Sequence, residues 1–112
     1  MRDSVRRVAA LPRGFDLESM RHHADEAAAL LKALANARRL RILCLLVEGE
    51  RSVGELHGEL DLSQSALSQH LARLRDEGIV TTRREAQTIF YSLTEGPARQ
   101  LVGALHGIYC RP

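Results

Sequence analysis

Residues 62–93, LSQSALSQHLARLRDEGIVTTRREAQTIFYSL, decide how the rest of the chain is read. Leu67, Leu71 and Leu74 recur at helical spacing, while Gln64, Ser65, Ser68, Gln69 and Ala72 fall on the opposite side. That outer face is polar but almost uncharged. A merely solvated helix carries Glu and Lys there, whereas short hydroxyl and amide side chains suit a helix that lies in a DNA major groove and bonds base edges. Ser63 suits an N-cap, Leu62 and Leu67 stand at hydrophobic-staple spacing, and Gly78 supplies the C′ stop. Beyond Gly78, IVTTRR and TIFYSL are rich in β-branched and aromatic residues, so they read as two strands joined by Glu85, Ala86 and Gln87. A groove helix followed by a hairpin with cations near its tip is the pattern of a winged helix.

Composition bounds what surrounds this stretch. At 112 residues the chain has room for one core but not for a second catalytic unit, and a hydrophobic content of 45% fits a globular protein. The formal charge of +2 is too small to suggest nucleic acid by itself, so the distribution of charge carries more weight. The longest apolar run, ILCLLV at 42–47, is far short of a membrane span, and the Arg-rich start lacks an apolar signal core, so a cytoplasmic protein is expected. Two cysteines without a CxxC motif argue against a disulfide scaffold and a thioredoxin-type site.

Outward from the groove helix, residues 1–14 hold Arg2, Arg6, Arg7 and Arg13 against Asp3, with Pro12 and Gly14, and read as a flexible basic arm. The single folded domain is expected over residues 15–112. From about Asp16 to Leu34, the apolar residues Leu17, Met20, Ala24, Ala27, Leu31 and Leu34 mark a helix with one narrow, Ala-rich seam, which suits close pairing with another helix. His22 and His23 lie off the seam and diverge by about 100°, so they read as solvated rather than as a metal pair. Asn36 is a plausible N-cap for a second helix, Ala37 to Val47, with Leu40, Leu43, Cys44 and Val47 as its core face. Arg38, Arg39 and Arg41 crowd its first half against the helix dipole, so something other than helix stability accounts for them, phosphate contact being one option.

From Glu48 to Asp61 the charge is mostly acidic, and this segment should avoid DNA. Ser52 and Glu55 form a capping box that opens a short third helix with Val53, Leu56 and Leu60 inward, and this helix with the next makes a helix-turn-helix. His57 reads as solvent-facing and His70 as a helix-packing residue rather than a base reader. Thr94 or Glu95 should start a last helix in which Ala98, Leu101, Val102, Leu105, Ile108 and Tyr109 again follow helical spacing. Cys110 and Arg111 lie at its end.

The segments LKALANARRLRILCLL, SQSALSQHLARLRDEGIV and REAQTIFYSL, in this order, resemble the ArsR/SmtB family of bacterial dimeric winged-helix repressors over roughly residues 20–110. RILCLL together with a terminal IYC resembles, more narrowly, the BigR/SqrR/YgaV branch, whose two cysteines respond to reactive sulfur species. By that resemblance Cys44 and Cys110 match the sensing pair. One departure is Ala37, where many relatives have proline.

Other readings of the same residues stay open. A metal sensor of this family would need a thiol cluster near SVGELHGEL, which has none, or acidic and histidine ligands in the last helix, which supplies His106 alone. Two thiols plus His106 around a soft ion remain conceivable. A thiol enzyme needs a base and an oxyanion site beside its cysteine, and no glycine-rich anion loop is present. A constitutive repressor with structural cysteines is the plainest alternative; by base rate, Cys44 between Leu40 and Val47 is an inert core filler.

The resulting expectation is a mainly α chain with a small β-hairpin: a winged helix-turn-helix of five helices plus a wing, homodimeric through its first and last helices. Gln64, Ser65, Ser68 and Gln69 should face base edges of an imperfectly palindromic operator, with Arg83, Arg84 and Gln87 of the wing on the backbone or in the minor groove. No catalytic residue, metal or cofactor is expected. The resemblance implies an effector, reactive sulfur species or an oxidant, that links Cys44 to Cys110 and releases DNA.

Overall fold

The computed structural model describes residues 16–110; the expected basic arm, residues 1–14, and Arg111 lie outside the described residues. Helix α1 spans Leu17–Leu34. Its N-cap Asp16 accepts the Glu18 N–H and the Ser19 hydroxyl, both at 3.0 Å. Helix α2, Ala37–Val47, follows at once, with the Asn36 side chain accepting the Arg39 N–H at 3.0 Å. A two-residue strand β1, Arg51–Ser52, leads into helix α3, Val53–Glu59, which opens on the expected capping box of Ser52 and Glu55. Helix α4 spans Gln64–Asp76, strands β2 and β3 span Val80–Glu85 and Thr88–Leu93, and helix α5 spans Pro97–Tyr109. Among the described residues this is five helices and a small antiparallel sheet in the order β1-β3-β2, a winged helix-turn-helix.

The core sits where α2, α3 and α4 meet the base of the hairpin. Leu56, Leu67, Leu71 and Leu74 are fully buried, as the spacing of the α3 and α4 leucines predicts. The start of α4 is held by the Ser63 hydroxyl, which accepts the Ala66 N–H at 3.0 Å. Its end is a Schellman motif: the Ile79 N–H donates to Leu74 O at 2.9 Å and the Gly78 N–H to Arg75 O at 3.0 Å, with Gly78 at φ +74°. Ile79 and Leu74, whose contact usually accompanies this motif, are both buried.

Four details differ from the sequence reading. The buried face of α2 is Arg39, Ile42, Leu43 and Leu46, while Leu40, Cys44 and Val47 are half-buried. The helix is turned by roughly one residue step from the expected face, because the unbroken apolar run leaves no polar residue to mark its outside. Glu85 belongs to β2 opposite Thr88, so the hairpin closes in two residues, Ala86 and Gln87, with Ala86 at φ +56°. Strand β1 was not expected; it pairs Arg51 with Tyr91 and Ser52 with Phe90 on the free edge of β3. The last helix begins at Pro97 rather than at Thr94 or Glu95. Thr94 instead ties the base of the hairpin, its hydroxyl donating to Gly78 O at 2.8 Å.

Helix α1 buries only Ala33 and Leu34. Leu17, Met20 and Leu31 of its seam are exposed at 73%, 48% and 56%, and Leu101, Ile108 and Tyr109 of α5 also face outward. Arg39 explains one of the cations at the start of α2. Its guanidinium, 6% exposed, donates from Nε to Ala33 O at 2.7 Å and from Nη2 to Lys32 O at 3.4 Å, completing carbonyls at the negative end of α1. It is therefore engaged within the protein rather than free for phosphate. No helix among the described residues is long and apolar enough to cross a membrane.

Candidate nucleic-acid interface and thiol pair

Helix α4 presents Gln64, Ser65, Ser68, Gln69 and Ala72 to solvent along the side opposite its three buried leucines. Buried apolar contacts on one side and caps at both ends fix the helix, so this row of donors and acceptors projects from a rigid support. His70 flanks the row and is half-buried; burial, then Arg39, Arg38 and Arg73, hold its imidazole below the ordinary histidine range. The neutral ring favoured by that setting agrees with a packing role.

The two wing arginines are not equivalent. Arg83 donates from Nη2 and Nε to both oxygens of Glu50, at 2.7 and 3.0 Å, and from Nη1 to Glu85 at 2.6 Å. Its guanidinium also lies 4.6 Å from the centre of the Phe90 ring, the residue opposite it in the ladder. These hydrogen bonds raise its pKa further and lower that of Glu50. A guanidinium with two carboxylates already on it has little left for a phosphate. Arg84 and Gln87 are exposed at the distal end of the hairpin, and among the described residues Arg84 has no ion pair.

Helices α2 and α5 pack together and bring the two cysteines, far apart in the chain, near enough that Cys110 acts on the Cys44 thiol. Both are free thiols: Cys44 half-buried on α2, Cys110 exposed as the C-cap of α5, its N–H donating to His106 O at 2.8 Å. Burial first, then Cys110 and Glu48, push the Cys44 thiol up. Arg41, one turn before Cys44, is not among the groups acting on it; the carboxylate of Glu48 one turn after it is. The arrangement is thus one protected thiol beneath one accessible thiol. Among the described residues no group of three or more His, Cys, Asp and Glu side chains is arranged to hold a metal ion, His106 with the two thiols included.

Two contacts near the candidate sites escaped the sequence reading: Glu50 on Arg83, and Glu48, whose Oε2 lies 3.6 Å from His106 Nε2. The second had a signal. Glu48 is four residues after Cys44 and His106 four before Cys110, so any antiparallel packing that joins the cysteines also joins these two.

Comparison with known proteins agrees with this architecture. The profile described as "Bacterial regulatory protein, arsR family" matches residues 36–82, from the N-cap of α2 into β2. The chain is 53% identical over 96 residues to the transcriptional activator HlyU of Vibrio cholerae, covering 86% of this chain and 89% of that one. It is 52% identical to the biofilm growth-associated repressor of Agrobacterium fabrum, over 86% of this chain and 82% of the relative. The crystal structure of the transcriptional repressor BigR from Xylella fastidiosa superposes with a TM-score of 0.78 at 52% identity, covering 85% of this chain and 94% of that one. With the winged helix, the polar face of α4 and relatives matched over nearly their whole length, the chain belongs to the ArsR family of bacterial transcriptional regulators.

Proposed function

We propose that the protein is a cytoplasmic repressor that binds an imperfectly palindromic operator as a homodimer while Cys44 and Cys110 are reduced, and leaves it when reactive sulfur species or oxidants link the two thiols. The observation that carries this reading is the packing of α2 on α5, which sets Cys44, at the core under the reading helix, near Cys110 at the outward-facing end of α5. The exposed apolar residues of α1 and α5 support a two-fold pairing through these helices. Such a dimer places two copies of α4 about 34 Å apart, one turn of DNA.

The chemistry follows from the two environments. The exposed Cys110 thiolate attacks the outer sulfur of a persulfide RSSH, forming Cys110–S–SH and releasing RS⁻. The Cys44 thiolate then attacks the Cys110 sulfur, forming the Cys44–Cys110 disulfide and expelling HS⁻. If Cys44 has also gained a sulfur, its terminal sulfur makes the same attack and leaves a trisulfide, again with loss of HS⁻. With peroxide, Cys110 becomes a sulfenic acid with release of water, and attack by Cys44 releases a second water. Because Cys44 is held protonated by its surroundings, closure should quicken as pH rises past the ordinary thiol range, about 8.5. A bridge alters how α5 sits on α2, and with it the spacing of the two reading helices.

The deciding experiment treats wild type, Cys44→Ser and Cys110→Ser with glutathione persulfide and follows operator affinity and intact mass. Wild type alone should gain an internal bridge and lose roughly 10- to 100-fold in affinity, the usual span of an allosteric coupling. Release of either single variant as fully as wild type overturns the two-thiol switch.

On DNA, Gln64, Ser65, Ser68 and Gln69 are assigned to base edges, and Arg84 and Gln87 to the backbone. Arg83, engaged by Glu50 and Glu85, orients the wing. Gln69→Ala should cost about 1–3 kcal/mol on the operator and little on random DNA. Arg84→Ala should weaken both alike and flatten the salt slope by about one for each contact removed. Equal effects of the two substitutions on operator and random DNA, in titrations over a salt series, exclude this division.

A further inference from the structure

Cys44 and Cys110 are one of two pairs that α2 and α5 bring together. One turn after Cys44 stands Glu48, the C-cap of α2, and one turn before Cys110 stands His106. The two pairs form successive rungs between antiparallel helices. Glu48 Oε2 lies 3.6 Å from His106 Nε2, while Glu48 Oε1 accepts from Arg51 Nη2 at 3.1 Å, so the carboxylate is steadied from the β1 side as it meets the imidazole. The His106 side chain is only 25% exposed.

Past His106, the end of α5 is barely anchored within the protomer. Val102 is fully buried and Leu105 half-buried, but Gly107, Ile108, Tyr109 and Cys110 are all exposed. A helix end without buried contacts frays readily. Among the described residues the Glu48–His106 contact is the last along α5 to bring a side chain to a carboxylate before Cys110, and it is an ion pair only when the imidazole is protonated.

We propose that Glu48 and His106 form a clasp that seats Cys110 against Cys44 and so sets the rate at which the two thiols close into a bridge. The inference rests on the thiol-switch reading and adds a positioning pair to it; neither residue reacts. Ring closure requires the Cys44 sulfur in line with the bond it breaks, and a small misplacement of the end of α5 slows such a step steeply. The first sulfur transfer, at the exposed Cys110, needs no such alignment. Glu48 also acts in a second direction. Its charge faces Cys44 together with Cys110, and helps keep the Cys44 thiol protonated. The groups bearing on that thiol are Cys110 from the end of α5 and Glu48 from α2, and Glu48 in turn meets His106 from α5 and Arg51 from β1. Position and charge therefore make separable predictions.

The test uses the full chain, glutathione persulfide as probe, rapid quenching, and intact mass to separate gain of a sulfur from loss of two hydrogens on closure. His106→Ala should leave sulfur gain at Cys110, read in a Cys44→Ser background, unchanged and slow closure about tenfold. His106→Gln, which retains a hydrogen-bonding group toward Glu48, should recover most of that rate. Glu48→Gln keeps an amide opposite His106 but removes the charge, so the pH profile of closure should move to lower pH. Closure by His106→Ala as fast as wild type overturns the clasp alone. Slowing by Glu48→Gln at every pH without a shift of the profile reduces Glu48 to a structural residue and overturns it too. Wild type that gains sulfur but never closes overturns the switch reading and the clasp together.

Discussion

Leu31→Asp on α1 or Leu101→Asp on α5 is expected to give a folded monomer whose operator affinity falls at least about 100-fold. Leu31 is 56% exposed and Leu101 37% exposed in the protomer, so a carboxylate at either site leaves the core of α2, α3 and α4 intact. In a two-fold dimer the same carboxylate enters an apolar contact twice, unpaired. The affinity loss follows from linkage: once one reading helix is seated, its covalently independent but associated twin meets its half-site at high effective concentration, and a monomer forfeits that advantage. Sedimentation gives the mass, circular dichroism the fold, and fluorescence anisotropy the affinity. A folded monomer with unchanged operator affinity refutes dimeric recognition.

The second large effect is on stability. Leu71→Ala removes a side chain that is 1% exposed, from the middle of the face that seats α4. Truncation of a buried leucine costs about 2–5 kcal/mol through lost burial and the cavity left behind. For a domain of this size, about 3 kcal/mol lowers Tm by roughly 12–24 °C. Thermal unfolding at one fixed protein concentration measures it, since the dimerisation proposed above would make Tm concentration-dependent. A fall of less than about 4 °C shows that the core tolerates the cavity, contrary to the packing described.

The fold of the central stretch was legible because several local signals agree there. Leu67, Leu71 and Leu74 share a face, Ser63 caps one end and Gly78 closes the other, and none of these depends on distant residues. The orientation of α2 was not legible: in ILCLLV every side is apolar, and only the packing of neighbours selects Ile42, Leu43 and Leu46 over Cys44. Strand β1 is two residues long and exists because β3 has a free edge, which is a property of the hairpin and not of Arg51–Ser52. The start of α5 lies beyond the expected Thr94 or Glu95, and Pro97 at the first helical position is the better signal for it. Arg83 and Arg84 show the limit of counting cations. Adjacent residues in a strand point to opposite faces, and which of them meets a carboxylate depended on Glu50, distant in sequence. That Cys110 lies near enough to act on Cys44 was legible only through family resemblance, since neither spacing nor composition relates the two.

Arg39 makes the short connection between α1 and α2 a fixed joint, because its buried guanidinium closes the last carbonyls of α1 while its backbone starts α2. Helix α1 has 18 residues, so by the usual rise per residue it is a rod about 27 Å long, held firmly at one end only. A tilt of about 5° at such a joint carries the far end of the rod through roughly 2 Å, a good part of the ~3.4 Å step from one base pair to the next along a strand. Small angular errors at Arg39 are thereby enlarged by leverage, and in a dimer paired through α1 the stiffness of that one joint would limit how finely the distance between protomers is held.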